Sequence, residues 1–309
     1  CEAASRLGVS YRHVKRLVAR FRRAGPRGLV HAGIGRSGNR GLALSELRGR
    51  CLAIIARDYS GDVGERFGPR LCSEHLLEDH EIKVHPESLR RWMLAAGLWS
   101  RVRKRKPYRR RRERMGHFGE MVQVDGSFHP WLEGRGPVAC MVTMIDDATG
   151  ITLARFARGE TTASVSEVLE LWVRKYGIPR AIYADRGGVF EPRQRVGKTQ
   201  FGRMCEELGI ALLKARSPQA KGRVERNHGT HQDRLIKKLR LKQVRDYDAA
   251  NQFLNAYLPD HNRRFAIAPR EESDFHVKLD DTSIDLPAIF SVVMRRKVSE
   301  DAVIRYIRL

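Results

Sequence analysis

The chain has few of the features of a secreted or membrane-bound protein. Its five cysteines, Cys1, Cys51, Cys72, Cys140 and Cys205, are odd in number, far apart and form no CxxC pair. That usage excludes a disulfide framework and fits free thiols in a reducing cytosol. No apolar run approaches the ~18 residues of a membrane span, and no signal peptide is legible. Acid is scarce too: 36 Asp and Glu stand against 59 Lys and Arg, a formal net charge of +23. Such a surplus asks for a polyanion, and DNA is the obvious one. The first residue is Cys rather than Met, which points to a piece of a longer chain.

What is present is enough for a real core. Hydrophobic residues make up 41% of 309, a length that suits two or three domains. Residues 1–43 read as a truncated helix-turn-helix and a linker. Glu2 to Leu7 is helix-prone, Gly8 allows a turn and Ser10 is a good N-cap. Val14, Leu17, Val18 and Phe21 then recur on one helical face, with Arg12, Lys15, Arg16 and Arg20 on the other. Residues 25–43, rich in Gly, Arg and Ser, read as the linker. A second helical module is expected over 44–100. Its first helix runs from Ser45 to about Tyr59 on a stripe of Leu52, Ile55, Ala56 and Tyr59. A second helix-turn-helix candidate follows over about 70–97, with helices from Ser73 to His80 and from Pro86 onward. Leu89, Trp92, Met93 and Ala96 form the stripe of its last helix, with Arg90 and Arg91 outside. The ordinary alternative for both modules is plain helical packing. Residues 101–117 form a basic linker, in which Arg109, Arg110, Arg111 and Arg112 are placed to track phosphates.

From residue 118 the pattern becomes α/β. Strands are predicted over Met121–Val124, Val138–Ile145, Ile151–Phe156, Ala181–Ala184 and Ile210–Ala215. Helices are predicted over Thr162–Tyr176, Thr199–Leu208, from Gly222 onward, and over 246–265, where Pro259 is expected to break the helix near its end. That order predicts a mixed sheet in a catalytic core over 118–278. Ala288–Val293 and Ala302–Ile307 read as short strands opening a β-rich segment over 279–309.

Three carboxylates stand out by context. Asp125 and Asp185 each follow an apolar, strand-like run, and Glu225 lies in a helix-like run after a Pro/Gly loop. Brought together, they would make an all-oxygen site for two Mg²⁺ or Mn²⁺ ions, the metals of phosphodiester chemistry. This argues against a passive nucleic-acid binder such as a ribosomal protein. Asp146 and Asp147 could also be ligands, but Asp-Asp-Ala-Thr-Gly reads first as a hairpin turn. Cys72, His75, His80 and His85 could suggest zinc, though their spacing fits no tight finger. His228 and His231 follow Glu225, either on a solvated face or near DNA. Gly187-Gly188 reads as a turn after Asp185, since no P-loop lysine follows.

These motifs resemble the catalytic core of the DDE transposases and retroviral-type integrases. The likeness rests on Val124-Asp-Gly-Ser127, Ile145-Asp-Asp-Ala-Thr-Gly150, Tyr183-Ala-Asp-Arg-Gly-Gly-Val-Phe190 and Ser217-Pro-Gln-Ala-Lys-Gly-Arg-Val-Glu-Arg226. Asp185 follows Asp125 by 60 residues and Glu225 follows Asp185 by 40; the family's second spacing is commonly a little shorter, so 191–198 reads as a small insertion. Upstream, Phe67-Gly-Pro69, Ser73-Glu-His-Leu76 and Leu89-Arg-Arg-Trp-Met93 resemble bacterial insertion-sequence transposases, most of all the ISNCY group. The resemblance implies an RNase H-like fold, Asp125, Asp185 and Glu225 as metal ligands, and cleavage and strand transfer at element ends. It implies a homo-oligomer on double-stranded DNA, element ends and target alike, in the bacterial cytoplasm at the nucleoid. Lys221 and Arg223, before the catalytic Glu, would contact DNA. The alternatives are a catalytically inactive, transposase-derived DNA-binding protein, against which the intact acidic trio argues, and a simple Mg²⁺ nuclease.

Overall fold

A computed structural model of the chain describes residues 2–30, 39–62, 64–100, 112–192, 197–215, 222–281, 283–294 and 300. Two compact units divide it, Cys1–Lys104 and Arg105–Leu309.

The first unit is helical. Helix α1 (Glu2–Arg6) leads into α2 (Tyr11–Ala24), whose N-cap Ser10 accepts from the His13 amide at 3.3 Å. A 3-10 turn over Gly25–Leu29 occupies the start of the linker expected over 25–43, of which 31–38 lie outside the described residues and 39–43 belong to a helix instead. The apolar stripe of α2 forms but is only partly covered, with Val14 and Leu17 half-buried. Val18 and Phe21 stay 42% and 48% exposed.

The second module buries a proper core. Helix α3 (Asn39–Ile54) starts earlier than expected and widens into a π-helical turn, Ile55–Tyr59. That turn changes the phase of the stripe. Cys51, Ile54, Ile55 and Tyr59 are buried, while Ala56 faces out. They pack on α4 (Pro69–His80) and α5 (Pro86–Ala95) through Phe67, Leu71, Leu76, Leu89 and Met93. The residues weighed for zinc are committed elsewhere. His75 bonds Asp79 at 2.7 Å, His80 meets the Tyr59 hydroxyl at 3.1 Å, His85 caps α5, and the Cys72 thiol points at the Phe67 carbonyl.

The second unit is built on a five-stranded mixed sheet in the order β3-β2-β1-β4-β5. The strands are β1 (Val122–His129), β2 (Ala139–Asp146), β3 (Thr152–Ala157), β4 (Ala181–Ala184) and β5 (Ala211–Lys214). β1, β2 and β3 are antiparallel, and β4 and β5 run parallel to β1. β1 continues past the expected end at Val124, so Asp125 sits within the strand. Two cores form, one on each face, because side chains alternate along each strand. Val122, Val124, Cys140, Val142 and Met144 face α6 (Thr162–Tyr176) and α7 (Gln200–Glu207). Ala139, Met141, Ala154 and Phe156 face Leu235 and Leu239 of α8 (Gly222–Leu241) and Leu254 of α9 (Tyr247–Phe265). No described helix is long and apolar enough to cross a membrane.

Two features differ from the sequence reading. Pro259 lies inside α9 without ending it. Buried Leu254, Tyr257, Leu258 and His261 hold the helix on both sides of the proline. Two asparagines also bolt it to the edge strand. Asn251 accepts from the Phe156 amide at 2.8 Å and donates to its carbonyl at 3.0 Å. Asn262 does the same to Thr152 at 2.8 and 2.9 Å. The outward backbone groups of Thr152 and Phe156 are thereby satisfied, at both ends of an edge strand that would otherwise invite pairing. Second, Ala288–Val293 is no strand. Helix α10 (Leu286–Phe290) forms there, because Asp285 caps it and Pro287 suits its first turn. Residues 302–307 lie outside the described residues.

Candidate active site

The sheet sets the elements that carry the two aspartates side by side. β1 and β4 are parallel neighbours with Val122 opposite Ile182 and Gln123 opposite Tyr183. The register offset is therefore 60 residues, the same as the spacing from Asp125 to Asp185. The ladder ends at Gln123 and Tyr183 and β4 ends at Ala184, so Asp185 is the first residue beyond β4, the strand next to the one that carries Asp125. Within β1, Asp125 projects from the face opposite Val124, the face that α8 covers.

Asp185 is held by the turn that follows it. The Gly187 amide donates to Asp185 Oδ1 at 2.7 Å. A Cβ on Gly187 would come within 2.9 Å of that oxygen, so the glycine leaves the carboxylate its place. Asp125 has a side chain 19% exposed, and His228 Nδ1 lies 3.7 Å from its Oδ2.

Glu225 is in the first turn of α8 and exposed. Helix α8 runs along β1 in the same direction as the strand, and its contacts fix the alignment. Gln232 Nε2 reaches Ser127 Oγ at 3.4 Å, His228 lies beside Asp125, and Arg223 joins Gln123 on one shared carboxylate, that of Asp147. Glu225 falls between the Arg223 and His228 contacts, one helical turn from His228 on the same side. Asp125 and the start of α8, which carries Glu225, thus lie on one sheet face, and Asp185 follows β4, the strand beside β1. The structure does not close the three into a cage. Among the described residues no three His, Cys, Asp or Glu side chains stand close enough to hold a metal ion. The donor set itself, three carboxylates with no thiolate, suits a hard ion such as Mg²⁺.

The remaining acids and histidines have other surroundings. Asp146 closes the hairpin turn, accepting from the Thr149 amide and hydroxyl at 2.7 Å each and from the Gly119 amide at 3.0 Å. Burial pushes its carboxyl above the usual range against those bonds. His228 and His231 do not lie on a solvated face. Both are buried, 6% and 0% exposed: His228 lies against Asp125 of β1, and His231 against Tyr257 and His261 of α9. Their spacing after Glu225 could have signalled this, since Val224, His228, His231 and Leu235 share one helical stripe.

The candidate DNA contacts fall into groups. Arg12, Lys15 and Arg16 are exposed on α2, and Arg91 is exposed on α5. Arg90 forks onto Glu87 at 2.7 and 2.5 Å. Arg223 is turned inward, its side chain 14% exposed, with Nε 2.6 Å from Asp147 Oδ1. Arg112 also pairs with Asp147. Arg109, Arg110, Arg111 and Lys221 lie outside the described residues.

No model of a known protein family matches the chain. Over 284 residues it is 41% identical to a protein of Sinorhizobium fredii named "Putative transposase y4bF", an overlap of 90% of this chain and 61% of that one. Over 163 residues it is 37% identical to "Transposase for insertion sequence IS1202" of Streptococcus pneumoniae, 50% of this chain and 34% of that one. The chain thus spans about three fifths of the first relative's length and a third of the second's. Among solved structures, a chain of a simian T-cell lymphotropic virus intasome in complex with PP2A regulatory subunit B56 gamma aligns with TM-score 0.43 and 17% identity, over 67% of this chain and 75% of that one. The HTLV-2 integrase catalytic core domain in complex with magnesium aligns with TM-score 0.37 and 21% identity, over 47% and 87%. By sequence the chain is similar to bacterial proteins named as transposases, one of them the transposase of an insertion sequence.

Proposed function

We propose that this chain carries the end-reading and strand-cutting parts of an insertion-sequence transposase, a DDE-type polynucleotidyl transferase with an RNase H-like core. The observation that carries the reading is that Asp125 lies in β1 and Asp185 directly follows β4, its parallel neighbour, with Glu225 in the first turn of the helix that packs along β1. Asp125, Asp185 and Glu225 are the metal ligands in this reading. When bound there, a pair of Mg²⁺ or Mn²⁺ ions would activate the attacking oxygen and stabilise the leaving 3′-oxygen of a phosphodiester. Gly187 keeps the Asp185 carboxylate in place, and His228 sits behind Asp125 on the protein side. The partner is double-stranded DNA, element ends first and target second, bound by a homo-oligomer in the bacterial cytoplasm at the nucleoid.

DNA reading falls to the helical modules. Arg12, Lys15 and Arg16 on α2, and Arg90 and Arg91 on α5, are the base-reading candidates. The run 101–114, with Arg109, Arg110, Arg111 and Arg112, supplies phosphate contacts, as does Lys221. DNA would have to compete with Asp147 for Arg112 and Arg223. The test is Asp185→Asn. End binding by gel shift should remain, Mg²⁺-dependent cleavage should vanish, and the thermal shift that Mg²⁺ gives the wild type should shrink. Equal loss of DNA binding would mean that the acidic cluster is structural.

A further inference from the structure

The turn after β2 holds a carboxylate with no part in the chemistry above. Asp147 is fully buried. Its Oδ1 accepts from Gln123 Nε2 at 2.7 Å, from Arg223 Nε at 2.6 Å and from the Arg112 guanidinium, and its Oδ2 accepts from the Met115 amide at 2.9 Å. Arg223 also donates to the Arg112 carbonyl at 3.0 Å. Four donors converge on this side chain. An ionised carboxylate, acceptor-only, meets that demand, whereas an amide would turn an NH₂ toward a donor.

The donors are not a random set. Gln123 is two residues before Asp125 on β1 and shares its face. Arg223 is two residues before Glu225, in the first turn of α8. Arg112 belongs to the last part of the basic run, and Met115 directly follows it. One buried charge thus ties together the strand that carries Asp125, the helix that carries Glu225 and the segment leaving the linker. A helix start is the part of a helix most ready to fray, since its first amides lack intrahelical partners. Further down α8, hydrophobic packing begins in earnest only at Leu235. Between the two, Val224, Asn227 and His228 are buried but Glu225 itself is exposed, so its placement depends on how firmly the first turn is held.

We propose that Asp147 is a positioning residue. Through Arg223 it holds the first turn of α8 against β1, and so sets Glu225 over Asp125 and Asp185. The proposal rests on the transposase reading for what Glu225 does, but the anchoring itself can be measured without it.

The experiment uses the full chain with Arg223→Gln, Arg223→Lys, Asp147→Asn and the double variant Asp147→Asn/Arg223→Gln. Amide exchange, read without DNA or metal, reports the helix start directly. In Arg223→Gln, exchange over 222–228 should quicken about tenfold while β1 and β2 keep their protection. Single-turnover cleavage of end DNA in Mg²⁺ should slow about a hundredfold at saturating DNA, with the half-saturating concentration unchanged. Arg223→Lys, which keeps the charge, should recover part of both. The double variant should be no worse than the poorer single one, because both changes cut one link. Should Asp147→Asn fail to fold, Arg223→Gln carries the test. Asp185→Asn is the contrast, with cleavage lost and exchange unchanged. Unaltered exchange at 222–228, or loosening spread evenly over the sheet, would overturn the proposal. So would a raised half-saturating concentration with unaltered exchange, which would make Arg223 a DNA contact. A wild-type chain that never cleaves DNA would remove the transposase reading instead, and exchange would still decide what Asp147 does.

Discussion

Acid should loosen the packing of α8 on α9 through two histidines. His231 and His261 stack with ring centroids 4.2 Å apart. Both are buried, at 0% and 2% exposure. Asn227 Nδ2 faces His261 Nε2 at 3.3 Å, and the Tyr257 hydroxyl lies 3.1 Å from His231 Nδ1. Burial, and then the charge of Arg234, lowers His261 to about 4, with Asp260 opposing. Burial, His261 and His228 hold His231 well below its ordinary value. Both rings are therefore neutral in the fold. As pH falls, the unfolded chain, whose histidines titrate near 6.5, binds protons before the folded one does. The stabilisation is complete above about pH 6.5 and drains away from there down to about pH 4. From pH 8 to pH 5, His261 alone accounts for about 2 kcal/mol. A unit of this size shifts about 2–4 °C per kcal/mol, so Tm should drop by about 4–8 °C, with His231 adding in the same direction. The assay compares thermal unfolding of the wild type and His261→Gln at the two pH values. Glutamine keeps an acceptor for Asn227 but takes up no proton. The variant should be less stable at pH 8, yet lose about 2 kcal/mol less on acidification. Parallel losses in the two proteins would refute the reasoning.

Gly187→Ala should cut single-turnover cleavage by roughly tenfold to a hundredfold, because the added Cβ crowds Asp185 Oδ1 at 2.9 Å; Tm should barely move, and full activity would show that this turn need not hold the carboxylate. Asn262→Ala should cost about 1–3 kcal/mol in urea unfolding, since it strips both bonds from the Thr152 backbone; a neutral result would mean that water replaces the clamp. Replacing Arg109, Arg110, Arg111 and Arg112 with glutamine should weaken element ends and random DNA alike, and flatten log K against log salt by about 0.9 per lost contact. Replacing Arg90 and Arg91 should weaken ends more than random DNA, measured over the same salt series.

Much of the α/β core was legible because its signals are local. Thr162–Tyr176 and Ala181–Ala184 occur with the expected ends, where a Thr161 cap, the Gly177-Ile-Pro stop and a short apolar run leave little choice. The departures arise where tertiary contacts outweigh local signals. Pro259 survives inside α9 because neighbouring turns are pinned to β3 by Asn251 and Asn262, and no local pattern marks those two asparagines as clamps. The widening at Ile55–Tyr59 moved a buried stripe by one position, which a fixed 3.6-residue period cannot follow. At Leu286–Phe290 the local signal was present and misread, because an Asp-Leu-Pro start outweighs an alternation of only six residues.

The candidate site divides the same way. Two parallel strands with a register offset of 60 place residues 60 apart side by side, so the spacing of Asp125 and Asp185 already held their neighbourhood, once the strands were known to pair. Glu225 and its helix were legible as pattern, but not the alignment that Gln232, His228 and Arg223 impose. The basic residues were the least legible. In a chain carrying +23, every arginine near an acidic cluster reads first as a phosphate contact. Yet a buried acid needs cations as much as DNA does, and in the folded protein Asp147 takes Arg112 and Arg223. Surplus charge identifies the class of partner, whereas burial of the opposing acid decides which arginines remain available to it.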